Sequence, residues 1–211
     1  MAPKVTSAYK QKTRERILEG AEALFSREGY YDTSMDEIVR ESGLSKGAIY
    51  GYFSSKEELF LALEDRDLAL TLARVKAAFA PGDSAKSKLE KAAEVAFSSL
   101  MGATKKACRM SLEFSVAAPR IRSLMHKQDE RYRAGHSLVA EIIREGVQSG
   151  EFKEGIDVDI SASILLAVVD GLSLHWATTT REFDWAKVRA QLSTIVLNGM
   201  LSEDRKSDPG R

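Results

Sequence analysis

Three serines, Ser34, Ser45 and Ser55, stand where helices can begin, and together they divide one short stretch of chain into short helical pieces. A serine oxygen at a helix start accepts from the unpaired N–H groups of the first turn. Glu37 follows Ser34, and Glu58 follows Ser55, at the spacing of a capping box. Between Ser34 and Ser45 lies Ser42-Gly43, where glycine supplies a tight positive-φ turn and Leu44 fills the angle that the turn makes. Two short helices joined by a glycine turn are the helix-turn-helix arrangement. Such a pair cannot hold itself together, because most helical stability in proteins comes from tertiary packing. The partners lie on either side. A helix over Lys10–Arg27 carries Ile17, Ala21 and Leu24 on one face with Leu18 and Phe25 beside them, and Gly29 is its left-handed C-cap. A further helix from Ser55 brings Leu59, Phe60 and Leu63, and its pattern continues as one rod to Phe79. The middle pair contributes Met35, Ile38 and Val39, then Ile49 and Phe53 from a helix over Lys46–Phe53.

After the break at Ala80-Pro81-Gly82-Asp83-Ser84, helical periodicity predicts elements over 84–100, 104–116, 119–148, 159–178 and 184–201, with Pro119 in a first helical turn. Hydrophobic residues make up 44%, there are 4 prolines, and β-branched residues do not alternate, so the chain reads as all-α with a real core. The expected division is a helix-turn-helix domain over 1–56, a helical domain over 57–203, and a disordered tail over 204–211. The single cysteine, Cys108, excludes an internal disulfide framework and suits a reducing cytoplasm. The polar, basic start is unlike a secretory signal, and the longest unbroken apolar run, Ile164–Val169, is too short to span a bilayer. A cytoplasmic protein with no membrane partner is expected.

Net charge is zero, but the near N-terminus is basic, with Lys4, Lys10, Lys12, Arg14 and Arg16 against Glu15. A balanced total does not exclude a local DNA-binding face. The helix beginning at Ser45 has the chemistry for one. Its N-terminal N–H groups favour a phosphate, with Ser45 and Lys46 beside them. Gly47 and Ala48 carry almost no side chain, so the helix can approach base edges, and Ala48 can touch a thymine methyl. Tyr50 and Tyr52 offer hydroxyls and rings, while Lys56, in the first turn of the next helix, is placed to reach the DNA backbone.

The run TSMDEIVRESGLSKGAIYGYFSSKEELF, Thr33 to Phe60, resembles the DNA-binding signature of the TetR family of bacterial repressors, and the preceding ILEGAEALFSREGY resembles that family's first helix. The resemblance implies an N-terminal three-helix DNA-binding domain with a C-terminal helical ligand-binding and dimerisation domain. It implies a homodimer on a near-palindromic operator, released by a small-molecule inducer. Carried over by position, the DNA-contacting places fall on Ser34, Ser45, Lys46, Gly47, Ala48, Tyr50, Gly51, Tyr52 and Lys56. Gly51 departs from the larger side chain that many relatives carry there.

The last two predicted helices are apolar on broad faces. Ile164 and Val168 on one, and Trp185, Val188, Leu192, Ile195, Val196 and Gly199 on the other, form a candidate dimer interface, as two such helices can pair with their copies in a four-helix bundle. Asp170 and Trp176 interrupt an apolar helix, and Phe97, Met101, Met110, Phe114, Met125 and Tyr132 are pliable or aromatic; these are the candidate lining of a pocket for a largely apolar inducer. His126, His136 and His175 form no zinc-binding pattern, and no phosphate loop or nucleophile elbow is present, so neither a metal, a cofactor nor catalysis is expected. An enzyme would have to rest on Asp170 and His175, whose spacing does not place them on one helix face. A protein-binding adaptor would keep the same N-terminal helices but show no operator footprint.

Overall fold

In the computed structural model, which describes residues 6–102, 105–117 and 122–202, the serines begin the helices that their positions predict. The N-terminal elements are α1 Ser7–Glu28, α2 Met35–Ser42, α3 Lys46–Tyr50 and α4 Lys56–Ala78. They are followed by α5 Ala85–Gly102, α6 Lys105–Ala117, α7 Arg122–Gln148 and α8 Val158–Thr178. The last helix is not uniform. It runs as α9 Trp185–Leu192, loosens into a π-helical segment over Ser193–Leu197, and ends as α10 Asn198–Met200. Pro119 and the tail over 204–211 lie outside the described residues.

The local differences from expectation have local causes. α1 starts before Lys10 because Thr6 caps it, its Oγ1 accepting from the Tyr9 N–H at 3.3 Å. α3 stops at Tyr50, short of Phe53, where the N–H groups of Tyr52 and Phe53 both turn back to the Ile49 carbonyl at 2.9 Å. Gly29 has the positive φ expected of it, but at φ 97° and ψ 163° it is extended rather than left-handed helical, a region open essentially to glycine alone. The box at Ser34 closes in both directions. The one at Ser55 is displaced: Ser55 accepts from the Glu58 N–H at 3.2 Å, but Glu58 reaches one residue further back, accepting from the Ser54 N–H at 2.7 Å.

Two apolar clusters divide the interior. The first joins Ile17, Leu18 and Phe25 of α1 to Ile38 of α2, Ile49 of α3, Phe53, and Leu59 and Phe60 of α4. The second gathers Leu89 of α5, Ile143 of α7, Phe152, Ala162 of α8 and Leu197 of the π segment. α4 links the two regions, and from its middle Glu64 pairs with Arg131 of α7 while Asp65 pairs with Lys127 at 3.2 Å. The buried Glu151 carboxylate accepts from the Ala85 and Lys86 N–H groups at 2.7 and 3.1 Å, satisfying the first turn of α5. Leu201 and Ser202 are held to the same loop, since the Ser202 N–H donates to the Glu151 carbonyl at 3.1 Å and Leu201 bridges to Phe152.

α8 is longer and more apolar than the run Ile164–Val169 suggests. With a mean hydropathy of 1.5, it is long and apolar enough to cross a membrane by length and composition alone. It packs against α7 and α6, and its small polar interruptions are what shorten the unbroken apolar run.

Gly146 sets how closely the Phe152 loop folds back on α7, because a Cβ there would lie 2.3 Å from Phe152 Cδ2 and 2.8 Å from Ala85 Cβ. We expect Gly146→Ala to cost about 1–3 kcal/mol of unfolding free energy, as overpacking of a filled core does, read from the midpoint of urea denaturation.

Candidate nucleic-acid interface

The geometry of the interface follows from the turn. Gly43 adopts φ 63° and ψ 28°, the left-handed conformation that closes α2, and the Arg16 guanidinium from α1 donates to its carbonyl at 3.4 Å. Ser45 then caps α3 by accepting from the Ala48 N–H at 3.2 Å. Ile49 and Phe53 are buried, which fixes the rotation of α3 and turns Lys46, Gly47 and Tyr50 outward. Ser34, Ser45 and Gly51 are exposed too, while Ala48 is half-buried.

Gly47 is the informative position. Its φ is not positive, and an added Cβ would meet nothing within 4 Å. Neither backbone conformation nor internal packing requires a glycine there. Lys46 is exposed and tethered to Asp36 of α2 at 2.8 Å, and this pairing holds the Asp36 carboxyl below, and the Lys46 ammonium above, their ordinary pKa values. Such a surface pair contributes little to stability and leaves the lysine able to exchange partners.

Two residues are placed differently from expectation. Tyr52 is half-buried and packs against the N-terminal core, so its ring is partly consumed inside the protein. Lys56 does not extend toward solvent. Its ammonium donates to the carbonyls of Tyr30 and Thr33 at 2.7 Å and of Tyr31 at 3.4 Å, and stands 4.3 Å over the Tyr30 ring. Burial lowers its pKa, and its three protons are matched to three carbonyls. These carbonyls lie in the α1–α2 connection, outside any helix, where they can accept from a lysine at the start of α4.

The C-terminal residues sort differently again. Phe97 stacks on Trp185 at 5.4 Å, and Trp176 meets Trp185 edge-on at 5.9 Å, so residues assigned from the sequence to a pocket and to a dimer face form one internal aromatic cluster. Trp176 Nε1 donates to Glu182 at 3.4 Å, and the Lys105 ammonium lies 5.7 Å over its ring. Met125 and Tyr132 are exposed, the Tyr132 hydroxyl bonding to Ser163 Oγ at 2.8 Å. Asp170 keeps an exposed edge, although burial against its neighbours pushes its carboxyl up and the charge of Arg131 opposes this. The side chains of Met101, Met110 and Phe114 lie outside the described residues. Burial, with the Glu64 charge, also pushes the Cys108 thiol up, away from the reactive range.

Of the candidate dimer residues, Ile164, Ile195 and Gly199 are exposed and Val168, Val188 and Val196 half-buried, whereas Leu192 turns inward to line a cavity. That cavity, of about 110 Å³, lies between α5, α7, α8 and the last helix, walled by Ala92, Ala93, Ala96, Leu165, Leu166 and Leu192 among others. The sequence reading missed it because alanines do not announce a pocket. The available signal was the pattern of Ala92, Ala93 and Ala96 on one face of α5 opposite large aliphatic residues on α8.

Comparison with known proteins agrees with this geometry. The profile of bacterial regulatory proteins of the tetR family matches residues 17–63, and that of the BetI-type transcriptional repressor C-terminal domain matches residues 85–198. A helix-turn-helix head on an all-helical body, matched in both parts to such proteins, defines a DNA-binding transcriptional regulator. The chain belongs to the TetR family. It is 27% identical over 219 residues to the HTH-type transcriptional regulator YfiR of Bacillus subtilis, covering 98% of this chain and 100% of that one. Its fold is shared with a transcriptional regulator from Saccharomonospora viridis solved with choline, at a TM-score of 0.78 and 24% identity over 92% of this chain and all (100%) of that one. It is shared also with the regulator FadR of Bacillus subtilis solved with stearoyl-CoA, at a TM-score of 0.74 and 22% identity over 88% of this chain and 98% of that one.

The inward lysine yields a test. Lys56→Met keeps the stem but removes the ammonium donor from the part-buried Thr33 carbonyl, and is expected to cost about 1–3 kcal/mol of stability, measured by urea denaturation.

Proposed function

We propose that the chain is a ligand-responsive repressor that binds a near-palindromic operator as a homodimer and is released by a largely apolar small molecule. One observation carries the DNA half of this reading: α3 is anchored by Ile49 while Gly47, where no internal contact limits a side chain, faces outward beside Lys46 and Tyr50. A helix with such an outer face can press close to base edges in a major groove. Lys46 supplies the phosphate or guanine contact, with Ser34, Ser45, Ala48, Tyr50 and Gly51 around it. Lys56 serves by holding the α1–α2 connection.

In this reading the head comprises residues 1–56 and completes its core with Leu59, Phe60 and Leu63 from α4. The body comprises residues 57–203, and 204–211 form a tail. The body's exposed apolar residues favour self-association: Ile160 and Ile164 on α8 and Ile195 on the last helix are more than half exposed, at 58%, 51% and 71%. A dimer would cover them and present two heads to half-sites about one helical turn, or about 34–36 Å, apart. The relatives solved with choline and with stearoyl-CoA support a body that receives small molecules. The role is regulatory rather than catalytic, in the cytoplasm.

Selection of genomic fragments on the purified protein should enrich one near-palindromic duplex; enrichment of none would overturn the reading. Lys46→Ala is expected to weaken binding to that duplex and to reduce the slope of log K against log salt by about 1, measured by fluorescence anisotropy across a salt series. Ile195→Glu should shift the protein from dimer to monomer in sedimentation velocity and weaken operator binding with it.

A further inference from the structure

Lys46, in the first turn of α3, reaches back to Asp36 in the first turn of α2, and the two charged groups meet at 2.8 Å. Both stay open to solvent, at 62% and 68% exposure, so whatever approaches α3 there meets an ion pair rather than a lone cation. The Lys46 ammonium also lies 5.9 Å from the centroid of the Tyr50 ring. Local structure gives little reason for the aspartate. The box that begins α2 is closed by Ser34 and Glu37: the Ser34 N–H donates to the Glu37 carboxylate at 2.8 Å, and Ser34 Oγ accepts from the Glu37 N–H at 3.3 Å. Glu37 already places a carboxylate in the first turn, where the helix dipole favours one. An ion pair this exposed adds little to stability.

The pair does change what Lys46 selects. An ammonium carries three donors, and Asp36 engages one of them. A phosphate is itself an anion. To reach Lys46 it must approach the Asp36 carboxylate or displace it, and like charges at such distances repel. The edge of guanine is uncharged, and its O6 and N7 accept from a lysine without that repulsion. With its charge balanced, Lys46 is a weak neutraliser of the DNA backbone but still a full donor toward a base.

We infer that Asp36 is a selectivity-determining residue of the DNA interface: by pairing with Lys46 it disfavours phosphate and directs the lysine to a guanine edge. The inference rests on the reading of α3 as the DNA-contacting helix, and it decides between the phosphate and guanine contacts open to Lys46. The test is fluorescence anisotropy of the full chain on two duplexes, the selected operator and a random sequence, across a salt series. On the random duplex, Asp36→Asn should bind up to about tenfold tighter at low salt and steepen the slope of log K against log salt by about 0.9, the value for one further phosphate neutralised. Removing the lysine as well, in Asp36→Asn combined with Lys46→Ala, should return the slope to that of the wild type, which a disturbance of α2 folding would not do. On the operator, replacing one guanine·cytosine pair of a half-site should weaken the wild type by about 5- to 150-fold, the cost of a mismatched pair, and should weaken Asp36→Asn and Lys46→Ala far less. An unchanged random-duplex slope in Asp36→Asn would overturn the inference, as would a base-pair preference in Asp36→Asn as strong as that of the wild type. If no operator is selected, the repressor reading fails, and the random-duplex slopes still decide whether Asp36 screens Lys46.

Discussion

The burial of Ile49 is the contact on which the N-terminal architecture turns. α3 has only five residues, too few to be stable as an isolated helix, and its rotation is set by where that one side chain and Phe53 go. Both enter a core built by α1, α2 and α4. With the inner face fixed, the outer face is determined by helix geometry, and Lys46, Gly47 and Tyr50 are presented to solvent. The orientation of this outer face is therefore set chiefly by apolar packing on the far side of the helix.

α4 ties this head to the body. Its first turns belong to the N-terminal core, its lysine at the start holds the α1–α2 connection, and its middle is bonded to α7 through Glu64–Arg131 and Asp65–Lys127. Arg66 fastens the same rod to α1 through Glu22 at 2.6 Å. α4 is thus fastened to both regions over its first half, from Lys56 to Arg66. Any effector acts only to the extent that it binds one arrangement of these helices better than another.

The helix-turn-helix was legible because its signals are local. Ser34, Gly43 and Ser45 act within three or four residues, and each formed the cap or turn that its neighbours predict. The body was legible as helices but not as surfaces. Phe97 is far in sequence from Trp176 and Trp185, and only the tertiary structure brings the three rings together in one cluster. The alanines of α5 become a cavity wall only because large residues on α8 and the last helix stop short of them. The inward turn of Lys56 likewise depends on three carbonyls contributed from more than twenty residues away in the chain.

The sequence by itself determined where most helices begin, the all-α class, and the segment that carries the helix-turn-helix, since capping, glycine turns and apolar periodicity are properties of neighbouring residues. Tertiary structure alone decided which cations remain at the surface, where the aromatic residues gather and where empty space is left. Those outcomes depend on partners distant in the chain, and a long side chain takes whichever unpaired group the fold brings within its reach.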